Sequence, residues 1–259
     1  MDFIRIQAEG PVTTITLDRP AVMNAINPEM HHELQAAFDA FAADDSQFVC
    51  VVTGAGTRAF CAGSDLKAPL PRDGSSGYPR NGYAGLIERF DLNKPIIAAV
   101  NGLALGGGFE VALACDVIVA ADTASFGLPE PLVGAVALGG GVHRLARQIG
   151  LKQAMGMILS TARVSAEEGR RLGFVNEVVP AGELDAAVRR WCEAILRASP
   201  MSIRASKETA MRGLDEPSLA AAIRAQADYP AFAAWRVSED AVEGRAAFAE
   251  KRPPNWKGR

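Results

Sequence analysis

The chain is poor in the residues that usually announce metal, redox or polyanion chemistry. It has three histidines, His31, His32 and His143, and four cysteines, Cys50, Cys61, Cys115 and Cys192, with no metal-ligand spacing among them. That pattern argues against a zinc site and against a Cys-His nucleophile pair, and it predicts reduced, buried thiols and no metal. Charge of one sign is also lacking. With 27 Lys and Arg against 30 Asp and Glu, the net charge is −3 and no run of like charges occurs, so neither nucleic acid nor another polyanion is expected as a partner. Long apolar runs are missing as well. The most apolar stretch, 95–105, is about half the ~20 residues that span a bilayer, and the opening MDFIRIQAEG has no signal or transit pattern. A cytoplasmic protein without membrane association is the expectation. No internal repeat or low-complexity tract is present.

What is present is an ordinary globular composition, 49% hydrophobic and 22% charged, and one unusual stretch. Residues 94–116 read KPIIAAVNGLALGGGFEVALACD. A β-branched run behind Pro95 suits a buried strand. Gly106, Gly107 and Gly108 supply backbone without side chains where the strand should turn into a helix. The first turn of a helix carries N–H donors with no internal partner and the positive end of the dipole, so negative charge is favoured beside Gly107 or Gly108. Glu110 falls in that turn, either as a dipole partner or as a proton-transfer group. Upstream, the stretch Phe60 to Leu66, rich in small residues, follows an apolar strand at 48–53 and offers a second turn of the same kind.

The rest reads as layered α/β structure. Residues 3–8 and 12–17 alternate around Gly10 and Pro11 as a hairpin. Asn27, Pro28 and Glu29 form a helix start, and Met30, Leu34, Phe38 and Phe41 recur at helical spacing, predicting a helix to about Ala43. A short helix is expected over 83–91, strand pattern over 117–120 and at Ser125 and Phe126, helices over 139–150, 151–159 and 166–172, and a strand over 174–179. Ser165 and Glu168 have the capping-box spacing. From Glu183 the chain turns alanine- and arginine-rich, broken by Pro200, Pro217 and Pro230, which predicts three or four helices and no further sheet. Residues 68–80, APLPRDGSSGYPR, read as a mobile loop beside the first donor turn that helps shape a substrate pocket and orders on ligand binding.

Two patterns mislead. Gly54 to Ala59 fits Gly-x-Gly-x-x-Ala, but Phe60, Cys61, Ala62 and Gly63 follow where a dinucleotide fingerprint should open a helix. Ser64 stands in AGSDL rather than in the Gly-x-Ser-x-Gly elbow of a serine hydrolase.

Together AFCAGSDL and NGLALGGGFEVALACD resemble the two signature stretches of the enoyl-CoA hydratase/isomerase family, the crotonases. A third segment, Ser125 to Glu130, and the tail AFAEKRPPNWKGR are similar too, and the likeness runs from LDRPAVMNAI to Arg259. Within the family, GYAGL, NKPIIAAVNG and WKGR look nearest to bacterial hydratases and carnitinyl-CoA dehydratase-like members. The resemblance implies an α/β fold, a crotonase-like spiral of ββα units, with 1–199 as the core holding the acyl-CoA site and 200–259 as a helical region that packs subunits into a homotrimer or a hexamer made of two trimers. It implies addition of water to a 2-enoyl-CoA thioester, with backbone donors at Ser64 and Gly107 for the enolate oxygen and Glu110 and Glu130 as acid and base. A carnitinyl-CoA dehydratase-like enzyme, a Δ3,Δ2-enoyl-CoA isomerase and a CoA-binding scaffold subunit are the alternatives. No cofactor is implied, because coenzyme A is part of the substrate. Substrate contacts carried over are Ala21, Val22, Ala62, Ser64, Asp65, Leu66, Lys67 and Gly106, with Phe248 and Lys251 reaching a neighbouring subunit's ligand. Lys67 reads equally as a solvated surface lysine. Two departures stand out: the family's common basic residue is absent at Ala21, and Ala137 and Leu138 replace the usual proline-glycine turn, which is expected to narrow or redirect the acyl end.

Overall fold

The computed structural model describes residues 1–68 and 77–259. The segment 69–76, most of the loop expected to order on ligand binding, lies outside the described residues. Two sheets carry the fold, and the chain alternates between them. The strands β1 (Ile4–Glu9) and β2 (Val12–Leu17) form the expected antiparallel hairpin, with Ile4 opposite Leu17. After α1 (Pro28–Ala43), β3 (Val49–Gly54) joins β2 in parallel while β4 (Ala59–Cys61) enters the second sheet. The move repeats in β5 (Ile96–Val100) and β6 (Leu103–Leu105), followed by α2 (Gly107–Ala114), and again in β7 (Val117–Ala121) and β8 (Ser125–Gly127), followed by α3 (Gly141–Ile149) and α4 (Leu151–Ser160). Then β9 (Val164–Ser165) closes the second sheet, ordered β4-β6-β8-β9, and after α5 (Ala166–Leu172), β10 (Glu177–Val179) closes the first, ordered β1-β2-β3-β5-β7-β10. Each ββ step with its helix is one turn of a spiral.

The central strands are apolar on both faces because both are covered. Along β3, β5 and β7, Cys50, Val52, Ile96, Ala98, Val100, Ile118 and Ala120 face the main core. Their alternates Val49, Val51, Ile97, Ala99 and Val119 pack under α6 (Leu184–Leu196) with Ala187, Val188 and Cys192. Helix α1 starts where its cap predicts, with Asn27 Oδ1 accepting from the Met30 N–H at 3.0 Å. At its far end Lys94 Nζ donates to the Phe41 and Asp44 carbonyls at 2.8 and 2.7 Å, closing carbonyls the helix leaves open. Ser165 caps α5 through the Glu168 N–H at 3.1 Å.

Some expectations need correction. The strand read behind Pro95 is β5, but it does not turn directly into the helix at the glycines, because β6 of the second sheet comes between. At the break the Asn101 Nδ2 donates to the Gly54 and Gly56 carbonyls at 2.9 and 2.7 Å, which turns the chain from one sheet to the other. Residues 83–91 hold only a single 3₁₀ turn, Tyr83–Gly85, because Ala84 sits at φ 55° and Gly85 at φ 60°. The strand expected over 174–179 begins only at Glu177: Phe174 is drawn into an aromatic cluster, 5.1 Å from Phe109 and 5.2 Å from Phe126. The helix expected from Gly139 begins at Gly141.

Beyond Glu183 there are five α-helices among the described residues: α6, α7 (Pro200–Gly213), α8 (Leu219–Ala225), α9 (Pro230–Arg236) and α10 (Glu239–Glu250). That exceeds the expected three or four because Pro200 and Pro230 begin helices instead of breaking them, each at the first position, where the missing N–H costs nothing. Helix α7 is tied to the sheet by Lys207 Nζ, which donates to Asp116 Oδ2 at 2.7 Å and to the Lys94 carbonyl at 3.0 Å. Buried Asp240 accepts from Ser199 Oγ and from the Lys257 and Gly258 N–H groups, so it joins the starts of α7 and α10 to the tail. Leu214, Leu219, Val237 and Phe248 stand exposed on this region, the part the resemblance assigns to self-association.

Candidate active site

Two glycine turns meet at the ends of the second sheet's strands. The first follows β4, where Gly63 adopts φ 94° and the chain passes to Ser64. It is held from outside by the loop before α1: the Ile26 N–H donates to the Gly63 carbonyl at 2.8 Å, the Asp65 N–H to the Ile26 carbonyl at 2.9 Å, and the Ala62 N–H to the Met23 carbonyl at 3.0 Å. Arg19 braces the same loop, pairing with Asp65 at 2.9 Å and donating to the Ala25 carbonyl at 2.6 Å. The second turn follows β6, where Gly106 at φ 53° swings the chain into α2.

The turns touch. A Cβ placed on Gly63 would lie 2.9 Å from the Leu105 carbonyl oxygen and 3.1 Å from the Gly107 nitrogen. Only glycine permits that approach. Gly107 is the first residue of α2, so its N–H has no partner inside the helix, and among the described residues neither it nor the Ser64 N–H donates to a protein acceptor.

Glu110 sits in the first turn of α2 and is 3% exposed. Its Oε1 accepts from the Gly141 N–H at 2.8 Å, and its carboxyl lies so close to Gly139 and Gly141 that a Cβ on either would collide with it. Glu130 opens the 3₁₀ turn Glu130–Val133 after β8. Its Oε1 would be 3.0 Å from a Cβ on Gly106, and its Oε2 is buried with no partner among the described residues. Glu130 therefore presses on the second glycine turn from the neighbouring strand's exit, while Glu110 rises from the helix that turn opens and sets its carboxyl against Gly139 and Gly141. Burial raises Glu110 from 4.5 to about 7, the Gly141 N–H opposes this, and the Glu130 charge adds to it. Burial raises Glu130 as well. Such a pair can hold one proton between two carboxylates near neutral pH.

A carboxyl kept protonated by the fold binds a proton that the unfolded chain has released, so stability falls as pH rises from about 4.5 to about 7 and then levels off. The loss amounts to roughly 2–3 kcal/mol for a group this buried. Glu110→Gln keeps an acceptor for the Gly141 N–H and removes the charge. The variant is expected to match the parent in urea unfolding at pH 4 and to exceed it by roughly 2 kcal/mol at pH 8. Equal stability at both values would mean that Glu110 is not held protonated.

The other residues named from sequence fall into three places. Ala21 and Val22 form an exposed 3₁₀ turn beside the Ser64 turn, and Ala62 is fixed to Met23. Asp65 is engaged with Arg19 and accepts from the Lys67 N–H at 3.1 Å, while Leu66 and Lys67 are exposed. Phe248, 87% exposed, and Lys251 belong to the end of α10, which packs chiefly on α7 and α9 rather than on the glycine turns. Ala137 is buried and Leu138 exposed, so the replaced turn presents one of the pair to solvent.

Sequence reasoning missed Arg19, the Gly139 and Gly141 cradle, and Tyr83, whose Oη lies 3.2 Å from Ser64 Oγ and whose ring end would collide with a Cβ on Gly107. The glycine cradle had a visible signal in the triplet after Glu130; the other two did not. Among the described residues no group of three His, Cys, Asp or Glu side chains is placed to hold a metal ion, and no helix is long and apolar enough to cross a membrane.

Known proteins bear on this geometry. The family description enoyl-CoA hydratase/isomerase matches residues 7–259. The carnitinyl-CoA dehydratase of Proteus mirabilis is 43% identical over 99% of this chain and 98% of its own length, and that of Salmonella arizonae is 42% identical over 98% of each. Among solved structures, the enoyl-CoA hydratase of Mycobacterium marinum superposes with a TM-score of 0.91 at 37% identity, covering all of both chains, and that of Mycobacterium tuberculosis H37Rv with 0.91 at 35%. Identity at this level along the whole length, on a spiral of the same shape, leaves one conclusion: the chain belongs to the enoyl-CoA hydratase/isomerase family, whose members act on CoA thioesters, and it has the crotonase fold.

Proposed function

We propose that this protein is a hydro-lyase that reversibly adds water across the double bond of a 2-enoyl-CoA thioester. The observation that carries the reading is the pair of carboxylates, Glu110 in the first turn of α2 and Glu130 against Gly106 that opens it, both raised by burial and Glu110 to about 7. Water addition needs two proton transfers. The water oxygen bonds to C3 while the π electrons move to the thioester oxygen, one carboxylate takes the proton that water loses, and the other carboxyl delivers its proton to C2 as the enolate collapses. The pair ends as it began, with one proton. The enolate oxygen is the difficult charge, and the Ser64 and Gly107 N–H groups are the donors we assign to it; losing one such donor in other enzymes costs ~3–4 kcal/mol.

The thioester's CoA arm is assigned to the side of Ala21, Val22, Ala62 and Lys67, and Phe248 and Lys251 serve it only from a neighbouring copy. Incubation with crotonyl-CoA is expected to bleach the enoyl-thioester absorbance. A double-bond isomerase would leave that substrate untouched, and a scaffold subunit would turn over no enoyl-CoA at any chain length.

A second reading within the same chemistry is favoured by the 43% identity to carnitinyl-CoA dehydratases. Dehydration is the reaction above run backward with the same groups. Supplying carnitinyl-CoA and following the rise of enoyl absorbance separates the two: a rate above that for 3-hydroxybutyryl-CoA makes the carnitine derivative the substrate, and the reverse order makes it a general short-chain hydratase.

A further inference from the structure

The aromatic residue beside the donor turns stands in an unusual piece of backbone. Tyr83 begins a single 3₁₀ turn, and Gly82 before it and Ala84 and Gly85 within it have positive φ, at 72°, 55° and 60°. For alanine this is a disfavoured conformation that persists only when its surroundings impose it. The surroundings here are α1. The Ala84 N–H donates to His31 Nδ1 at 2.9 Å, and Gly85 lies against the Gln35 backbone where no Cβ would fit. Burial, with a lesser contribution from His32, pushes His31 down to about 4, so its imidazole is neutral and Nδ1 keeps its lone pair for the Ala84 amide. The His31 ring also meets Tyr83 edge-on, with centroids 4.6 Å apart.

What this turn achieves is the placement of one phenol. Tyr83 is 2% exposed, its Oη is 3.2 Å from Ser64 Oγ, and its Cζ and Oη occupy the space a side chain on Gly107 would need. A single rigid ring thus touches both turns whose N–H groups are left without acceptors. We infer that Tyr83, held by His31 through the Ala84 amide, is a positioning residue that sets the gap between the Ser64 and Gly107 donor peptides. The inference deepens the function proposed above and rests on it, because the gap matters only if those peptides share one oxygen. Hydrogen-bond donors aimed at a developing charge work through their geometry, and a misplacement of about 1 Å can cost ~10²-fold in rate, whereas ligand binding through the CoA arm does not sense the gap.

The test uses the full-length protein and two readouts. The first is turnover against crotonyl-CoA. Tyr83→Leu is expected to lower kcat roughly 10- to 100-fold with KM changed by less than about threefold, and Tyr83→Phe, which keeps the ring and loses the Ser64 bond, by a few-fold, roughly 3- to 10-fold. His31→Leu should reproduce the Tyr83→Phe loss, and His31→Asn, whose carbonyl oxygen can accept the Ala84 N–H, should restore most of it. The second readout is the absorption maximum of bound 4-dimethylaminocinnamoyl-CoA, a push–pull chromophore that moves to the red as its carbonyl is polarised.

The parent is expected to shift this band, Tyr83→Leu to shift it less, and Tyr83→Phe to fall between. A parent that neither shifts the band nor turns over an enoyl-CoA would overturn the hydratase reading itself. A parent that shifts it, with Tyr83 and His31 variants that shift it equally at unchanged kcat, would overturn the positioning role and leave the hydratase reading intact. Should Tyr83→Leu fail to fold, Tyr83→Phe and the two His31 variants decide the matter alone.

Discussion

Replacing Glu110 or Glu130 by glutamine is expected to lower turnover of an enoyl-CoA by at least ~10²-fold while leaving binding of the CoA ester within a few-fold of normal. Glutamine preserves the shape of each site. At position 110 its carbonyl oxygen accepts the Gly141 N–H that Glu110 Oε1 now accepts, and the glycine cradle at 139 and 141 leaves room for nothing larger. At position 130 it still lies against Gly106. What disappears in either case is a group able to take or give a proton. Because the two acids serve the two proton transfers of one addition, their losses should not add, and the double variant is expected to fall close to the worse single one. A variant at either position that retained near-normal turnover would sink the assignment of that residue. The unfolding comparison at pH 4 and pH 8 on the same samples shows whether a loss of activity is a loss of fold, since Glu110→Gln should be the more stable protein at pH 8.

Much of this site could be read in the chain because its parts are local. The glycine run and Glu110 lie within one helix turn of each other, and the caps at Asn27 and Ser165 are four-residue patterns that the folded chain keeps, with acceptor bonds of 3.0 and 3.1 Å. What escaped depends on distant residues. His31 and Ala84 are 53 positions apart, and nothing in GYAGL marks Ala84 for a left-handed conformation that α1 imposes. Arg89, in the stretch that should have been a helix, is instead drawn to Asp39 at 2.7 Å and to Asp91 at 3.2 Å. The switch between sheets had a local mark, the Asn101-Gly102 turn pair between two apolar runs, but its meaning lay in the Asn101 amide bonds, formed with residues 45 and 47 positions away. Local chemistry was legible; the geometry that brings two turns together was not.

The close approach of those turns carries the second large effect, and Gly108→Ala measures it. Gly108 is the second residue of α2, and a Cβ there would collide with the carbonyl oxygen of Cys61 and lie 2.7 Å from its carbonyl carbon. The obstruction is backbone, not the tip of a flexible side chain, so a methyl group must push α2 and β4 apart. Cys61 ends β4, and Gly63 and Ser64 follow directly, so the strand cannot yield without carrying the first donor turn away from Gly107. Overpacking of this kind costs ~1–3 kcal/mol in stability. Activity should suffer more, because a displacement approaching 1 Å at a reacting centre is worth ~10²-fold.

Gly156→Ala is the matched control: it lies inside α4 with nothing within 4 Å of an added Cβ, and it should gain ~0.5–1 kcal/mol at unchanged turnover. Thermal unfolding and kcat on both variants separate the outcomes. Loss of activity in Gly108→Ala at a temperature where it remains folded ties catalysis to the spacing of the two turns. Full activity in a folded Gly108→Ala protein would show that the donors do not depend on that spacing, and the charge on the thioester oxygen would then have to be met elsewhere.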